Sequence, residues 1–387
     1  MAAIKKWLEN NLKGDPVIWG IVILLAILSI LVVYSATGTL AYRKMGGNTE
    51  IYLIKHSSLV FLSLFVMWAA HKIPYKYFAR LSLLALWISV PLLAFTYFYG
   101  SNYNDASRWI TIPIIDQAFQ PSDLAKLALI AAVAGMLAKR QRNIRDFQHT
   151  FIPIMIWIGL ICLFIALANM STAVLLLATC LLLMFIGRVP VRFLMMVCLV
   201  GTLALTAALF LGQRGGTFYS RIESFVKEGE VPYQAKHAYI AIATGGVAGK
   251  GPGNSDQRNF LPHPYSDFIY AILIEEYGLI GGGFVLFLYL ALLYRGMRLV
   301  AISNRPFGGL LSAGLSFALV IQAMVNMGVT VGLVPITGLP LPLLSMGGTS
   351  LLFTGISIGI ILSISRGDHE DAFPLEENTS RRIAKVA

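Results

Sequence analysis

Long apolar runs separated by short polar links dominate the pattern of this chain. Ten runs stand out, at 17–37, 51–71, 78–99, 121–138, 150–168, 171–187, 190–211, 267–299, 307–333 and 346–365. Most reach or approach the roughly 18–20 apolar residues that carry a helix across a bilayer. Inside lipid every backbone polar group must be satisfied within the segment, so the pattern predicts helices. Boundaries beside ANMS and GRVPV are soft, and nine spans result if the fifth and sixth runs are misread. The eighth and ninth runs exceed what a bilayer needs and are expected to tilt or project. The predicted fold is all-α: a polytopic membrane protein of about ten transmembrane helices with one large extracytoplasmic loop. Residues 1–16 form an N-terminal segment, 17–366 the membrane domain, and 367–387 a polar tail read as disordered.

Composition agrees: 57% of the 387 residues are hydrophobic and 13% charged, about half the charged fraction of an ordinary soluble domain. Basic residues gather in alternate links. One side holds Lys5, Lys6, Lys13, Lys72, Lys76, Arg80, Lys139, Arg140, Arg142, Arg145, Arg188, Arg192, Arg295, Arg298, Arg305, Arg366, Arg381, Arg382 and Lys385. That bias predicts that both termini are cytoplasmic. It also accounts for most of the +11 net charge without nucleic acid. The first run is too long for a signal h-region and reads as an uncleaved span. Cys162, Cys180 and Cys198 fall in three different helices and read as buried thiols. No HExxH, Walker loop or Rossmann fingerprint is present.

The link at 212–266 is out of proportion, and loops of this length are usually functional or disordered. Within it YQAKHAYIAIATGG has helical apolar spacing at Tyr239, Ile240 and Ile242, as expected of a helix lying at the interface. Arg214, Arg221, Lys227, Lys236, Lys250 and Arg258 place positive charge against the topological trend. Two readings stand: a site for an anion such as phosphate, or a solvated loop. GGVAGKGPGN has the glycines of a phosphate cradle but not the Walker spacing, so turns are its alternative. Asp267 either caps the eighth helix together with Ser266 or acts as a general base.

Charged groups at membrane depth are costly and face a partner or cavity. Glu275 lies about 80° round the helix from Asp267, so both are expected to line one cleft. Glu276 points away, toward a neighbouring helix. Lys126, one turn into a helix opened by Pro121 and Asp123, is the expected ion-pair partner of Glu275 or Glu276. Arg108 and Trp109, just before that helix, are a guanidinium and an interfacial aromatic, or simple membrane anchors. VGLVPITGLPLPLLSMGGTS, with Pro335, Pro340 and Pro342, reads as a re-entrant or turn region. Gln322 and Asn326 are expected to make helix–helix hydrogen bonds.

ASRWI, QPSDLAKLALI, YQAKHAYIAIATGGVAGKGPGNSDQRNFLP, YSDFIYAILIEEYGLIGG and VGLVPITGLPLPLLSMGGTS occur in that order. Together they resemble the SEDS (shape, elongation, division and sporulation) family over about residues 15–366. GKGPGNSDQ followed by FLP is more like its cell-division branch, FtsW, than its elongation branch, RodA. The resemblance implies a ten-helix peptidoglycan glycosyltransferase that polymerises lipid II, a disaccharide-peptide on polyprenyl pyrophosphate. It implies Asp267 as the essential catalytic aspartate, suited to act as general base, and matches Arg108, Trp109, Asp123, Lys126 and the pair Glu275–Glu276 to family motifs. Arg108, Lys250 or Arg221 is then expected at the pyrophosphate, with a divalent cation (Mg or Mn) an open option. A class B penicillin-binding protein transpeptidase is the expected partner, alongside other division proteins. Lipid II flipping and a division scaffold are the alternative functions. ANMSTA and IKHS depart from the family pattern.

Overall fold

A computed structural model of the protein describes residues 11–38, 49–103, 106–112, 117–211, 223, 225, 231–303 and 305–372. Ten apolar helices occupy the ten predicted runs: α1 Pro16–Ala36, α2 Thr49–Lys72, α3 Phe78–Tyr99, α4 Pro121–Lys139, α5 Ile152–Ala168, α6 Met170–Ile186, α7 Val191–Leu211, α9 Ile269–Ile302, α10 Pro306–Thr330 and α11 Gly348–Ala372. The additional helix α8, Tyr233–Gly245, lies in the long connection before α9. Eight of the ten are long and apolar enough to cross a membrane; α6 and the described apolar part of α7 are shorter. The protein is a multi-pass membrane protein.

Burial separates a centre from a rim. The apolar windows of α4, α10 and α11 are 67% buried, whereas those of α2, α3 and α5 are 28% buried and present their remaining surface outward. Small residues allow the central contacts. A Cβ at Gly355 would fall 2.5 Å from the carbonyl oxygen of Ser63 on α2, and one at Gly359 would fall 2.4 Å from that of Met67. Ser63 Oγ also donates to the Leu351 carbonyl at 2.6 Å, joining α2 to α11. At the first turn of α1, Asp15 accepts from Val17 N at 2.9 Å and from Arg295 Nε of α9 at 2.5 Å.

Three features differ from the sequence expectation. Between α3 and α4 a small antiparallel sheet forms from β1 Ser101–Tyr103, β2 Ala106–Ile112 and β3 Gln117–Phe119. The class remains all-α, but ASRWI lies on a strand. Second, α8 buries Ala235, Ala238, Ala241 and Gly245 against α9, not an apolar face at Tyr239, Ile240 and Ile242. The small side chains let the two backbones approach, which apolar spacing alone does not reveal. Third, α9 is two half-helices joined at Gly278, whose φ of 70° and ψ of −174° are non-helical.

Candidate active site

Asp267 immediately precedes α9, and the backbone around it is fixed from outside the helix. Three successive carbonyls, of Tyr265, Ser266 and Asp267, accept from Met346 N at 2.8 Å, Ser345 Oγ at 2.7 Å and Asn326 Nδ2 at 2.8 Å. Phe268 occupies the N-cap position, with no side-chain capping bond, so Asp267 does not cap α9. Its carboxylate is half-buried, accepts from Ser266 Oγ at 3.0 Å, and faces Gly338, where a Cβ would sit 3.6 Å from Oδ2. Removing the capping role leaves the carboxylate beside an irregular segment that requires polar support.

That segment, 335–345, is the proline-rich stretch, and its freed carbonyls are satisfied by side chains from the surrounding helices. Asn326 donates to Leu339 O at 2.7 Å, Gln322 to Pro340 O at 2.8 Å, Tyr289 to Pro342 O, and Ser29 to Leu344 O at 2.9 Å. Gln322 and Asn326 therefore hold the re-entrant backbone; bonds between paired helix side chains were the expectation. Ser29 Oγ is also 2.9 Å from His56 Nε2. The departure IKHS thus places a buried histidine behind the segment facing Asp267. In the other departure, ANMSTA, Asn169 caps α6 by accepting from Thr172 N at 3.3 Å.

Next to this segment an open groove lies between α4, α6, α10 and α11. Its walls are chiefly apolar, with Asp123, Lys126 and Gln322 among the polar lining. Lys126 pairs with Asp123 of its own helix at 2.8 Å, three residues apart. The expected pairing with Glu275 or Glu276 does not occur: both acids are bound by other partners. Gln322 connects the two regions, since it lines the groove and also holds Pro340, two residues from Gly338.

Glu275 is fully buried and saturated. Its oxygens accept from Lys250 Nζ at 2.7 Å, Ser255 Oγ at 2.5 Å, and the backbone amides of Asp256 and Gln257, each at 3.2 Å. Such donors offset the desolvation of a buried carboxylate. Lys250 also donates to Asp256 at 2.8 Å. Its hydrogen bonds to Asp256 and Glu275 hold the ammonium above the usual lysine range, and the Lys250 bond holds Asp256 below the usual carboxylate range. The geometry gives Glu275 and Lys250 an anchoring role in place of the expected cleft-lining and pyrophosphate roles. Glu276 accepts from Ser35 Oγ of α1, and Arg258 donates to Ser35 O at 3.1 Å and Oγ at 3.0 Å.

The glycines of GGVAGKGPGN have their explanation here. Because α9 breaks at Gly278, the carbonyls of Glu275 and Glu276 lack helical donors, and the amides of Lys250 and Gly251 supply them at 2.9 Å each. In exchange, Leu279 N and Ile280 N donate to the Gly246 and Val247 carbonyls at 3.0 and 3.3 Å. A Cβ at Gly249 would lie 2.2 Å from Glu276 O. The stretch is a dock for a broken helix, not a phosphate cradle. Of the remaining predicted residues, Trp109 is half-buried on β2 beside Arg108, whose side chain, like all of Arg221, lies outside the described residues. Among the described residues no three His, Cys, Asp or Glu side chains group to hold a metal ion.

A sequence profile described as Cell cycle protein, covering FtsW, RodA and SpoVE, matches residues 15–370. A probable peptidoglycan glycosyltransferase FtsW of Geobacter sp. (strain M18) is 32% identical over 367 residues, covering 91% of this chain and 96% of that protein. Stage V sporulation protein E of Bacillus subtilis (strain 168) is 31% identical, with 89% and 95% covered. Among solved structures, a chain described under structural coordination of polymerization and crosslinking by a peptidoglycan synthase complex superposes with a TM-score of 0.72 at 24% identity, covering 92% of this chain and 99% of that one. The rod shape determining protein RodA of Thermus thermophilus gives 0.66 at 26%, with 92% and 98% covered. The ten helices, the aspartate set against the re-entrant segment and these matches agree: the chain belongs to the FtsW/RodA/SpoVE family of cell cycle proteins.

Proposed function

We propose that the protein is a peptidoglycan glycosyltransferase that polymerises lipid II at the outer face of the cytoplasmic membrane, with both termini cytoplasmic. The observation that carries this reading is the carboxylate of Asp267, held by three backbone anchors beside an irregular, polar-supported segment at a helix entrance. Pre-positioned groups of this kind lower barriers because no reorganisation is needed at the moment of reaction. Asp267 takes the proton of the acceptor sugar's 4-hydroxyl as that oxygen attacks the anomeric carbon of the donor chain. The bond from that carbon to pyrophosphate breaks, polyprenyl pyrophosphate leaves, and the configuration inverts to a β-1,4 linkage.

The groove beside Gln322 has the chemistry to hold a polyprenyl tail, with Lys126 and Asp123 as its polar lining. Lys126, which lines the groove, and Arg108 are the cations proposed for the pyrophosphate; Lys250 is held by two carboxylates, Glu275 and Asp256, and is not part of the groove lining. A flippase needs charged groups free to follow a headgroup across the membrane; the intramembrane carboxylate of Glu275 is sealed, which favours polymerisation. A solved structure described as a peptidoglycan synthase complex that coordinates polymerization and crosslinking supports a crosslinking partner, which we take to be a class B penicillin-binding protein transpeptidase; similarity to FtsW proteins supports a place at the division septum. The test is polymerisation of lipid II by the purified protein with its cognate transpeptidase. Asp267→Asn should abolish polymer while leaving the fold intact; equal polymer from both proteins moves the base elsewhere.

A further inference from the structure

Two aromatic rings contact that of His237 on the connection before α9, and none of the three residues lines the groove. Tyr233 and His237, one turn apart on α8, have centroids 4.4 Å apart at 56°. Beyond His237 lies Phe260, 5.2 Å away and within 5° of parallel. Tyr233 is 56% exposed and Phe260 52% exposed, so the outer two rings lie open. The central ring is held from behind: His237 Nδ1 donates to Gln257 Oε1 at 2.7 Å, and Gln257 is buried. Gln257 is itself fixed by its backbone N–H, which donates to Glu275 Oε2 at 3.2 Å. A histidine whose Nδ1 is committed in this way retains Nε2 as its second hydrogen-bonding atom.

Rings that serve only as apolar anchors at a membrane interface need no buried amide to set the plane of a central imidazole. A platform with two open aromatic faces, a polar nitrogen between them and exposed Lys236 at its side has the chemistry that binds a sugar chain. One face of a pyranose ring is a patch of C–H groups that packs on an aromatic face, while its hydroxyl edge seeks polar atoms. Phe260 is seven residues from Asp267, so the two Cα atoms are at most about 25 Å apart, a few sugar units. We propose that Tyr233, His237 and Phe260 form a saccharide subsite that holds the β-1,4 glycan strand beyond the bond-forming position. The assignment of that strand rests on the glycosyltransferase reading.

The probe is a lipid-free β-1,4-linked N-acetylglucosamine hexamer, titrated into the detergent-solubilised full chain. Tyr233→Leu and Phe260→Leu keep apolar bulk but remove the ring face; each should weaken binding about fivefold, as expected for loss of one aromatic stacking contact. Tyr233→Phe should restore wild-type affinity. With lipid II, the leucine variants should release shorter glycan strands. Wild-type affinity and strand length in both leucine variants would overturn the subsite and leave the rings as interface or protein-contact residues. Asp267→Asn separates the two readings. If neither it nor the wild type polymerises lipid II, yet both bind the hexamer in a ring-dependent way, the polymerase reading falls and the subsite stands.

Discussion

At the residue scale, Gly338 shows what the site tolerates. Its φ of 67° is left-handed, and a Cβ there would lie 3.6 Å from Asp267 Oδ2. Gly338→Val adds about 1–2 kcal/mol of backbone strain and a branched side chain against Oδ2, so polymerisation should fall at least about tenfold, with Gly338→Ala milder in the same assay. Glu275 makes a different prediction. Glu275→Ala leaves the Ser255 hydroxyl and the Asp256 and Gln257 amides without their acceptor, and a buried donor left unsatisfied costs about 1–3 kcal/mol. It should lower the thermal unfolding temperature in detergent. Lys250→Met should behave alike; were Lys250 a pyrophosphate ligand, its loss would raise KM and leave unfolding unchanged. Charge alone did not reveal this anchor, because Lys250 and Glu275 lie 25 residues apart and meet only through a broken helix.

At the scale of elements, docking of 246–251 on α9 is a backbone exchange. A Cβ at Gly249 would collide with Glu276 O, and its φ of 81° adds strain. Gly249→Ala should therefore free the amides of Lys250 and Gly251 to exchange, seen as lost deuterium protection in that stretch alone. The pair Lys250–Asp256 makes part of this docking pH-dependent, and the sign follows from linkage. Asp256 is held below its ordinary 3.8, so its contribution is full above that value and is lost as pH falls through the depressed one. Lys250 is held above its ordinary 10.5, so its contribution is full below that value and is lost as pH rises through the raised one. Protection of the two amides, corrected for intrinsic exchange, should stay flat through the neutral range and drop only toward the extremes.

At the scale of the whole molecule, length and apolarity made all ten helices legible. Bilayer thickness constrains a span whatever its packing. Asp267 was legible because an acid at the start of a membrane helix demands an explanation. The sheet before α4 was not, since three short strands leave a weak alternating signal between two dominant apolar runs. The break at Gly278 was hidden among the glycines of YGLIGGG, any of which would suit a helix packed closely on another. The support behind 335–345 also escaped, because it draws on Ser29, Tyr289, Gln322 and Asn326 from three helices, two of them remote in sequence. His56→Leu, which removes the group behind Ser29, should reduce polymerisation more than it lowers the unfolding temperature.

The division of α9 at Gly278 also bears on how the chain can vary. Residues 269–276 are all buried, and two of their carbonyls are committed to the loop, whereas Leu279, Ile280, Phe284, Phe287, Leu290 and Tyr294 are exposed on one side. A complete single-substitution library scored by growth should therefore be sharply asymmetric within one helix. Nearly every change before Gly278 should be rejected, and beyond it apolar residues should exchange freely along the exposed stripe. In evolutionary terms this single helix holds two neighbourhoods, one under tight constraint and one free to drift, and the glycine is their border.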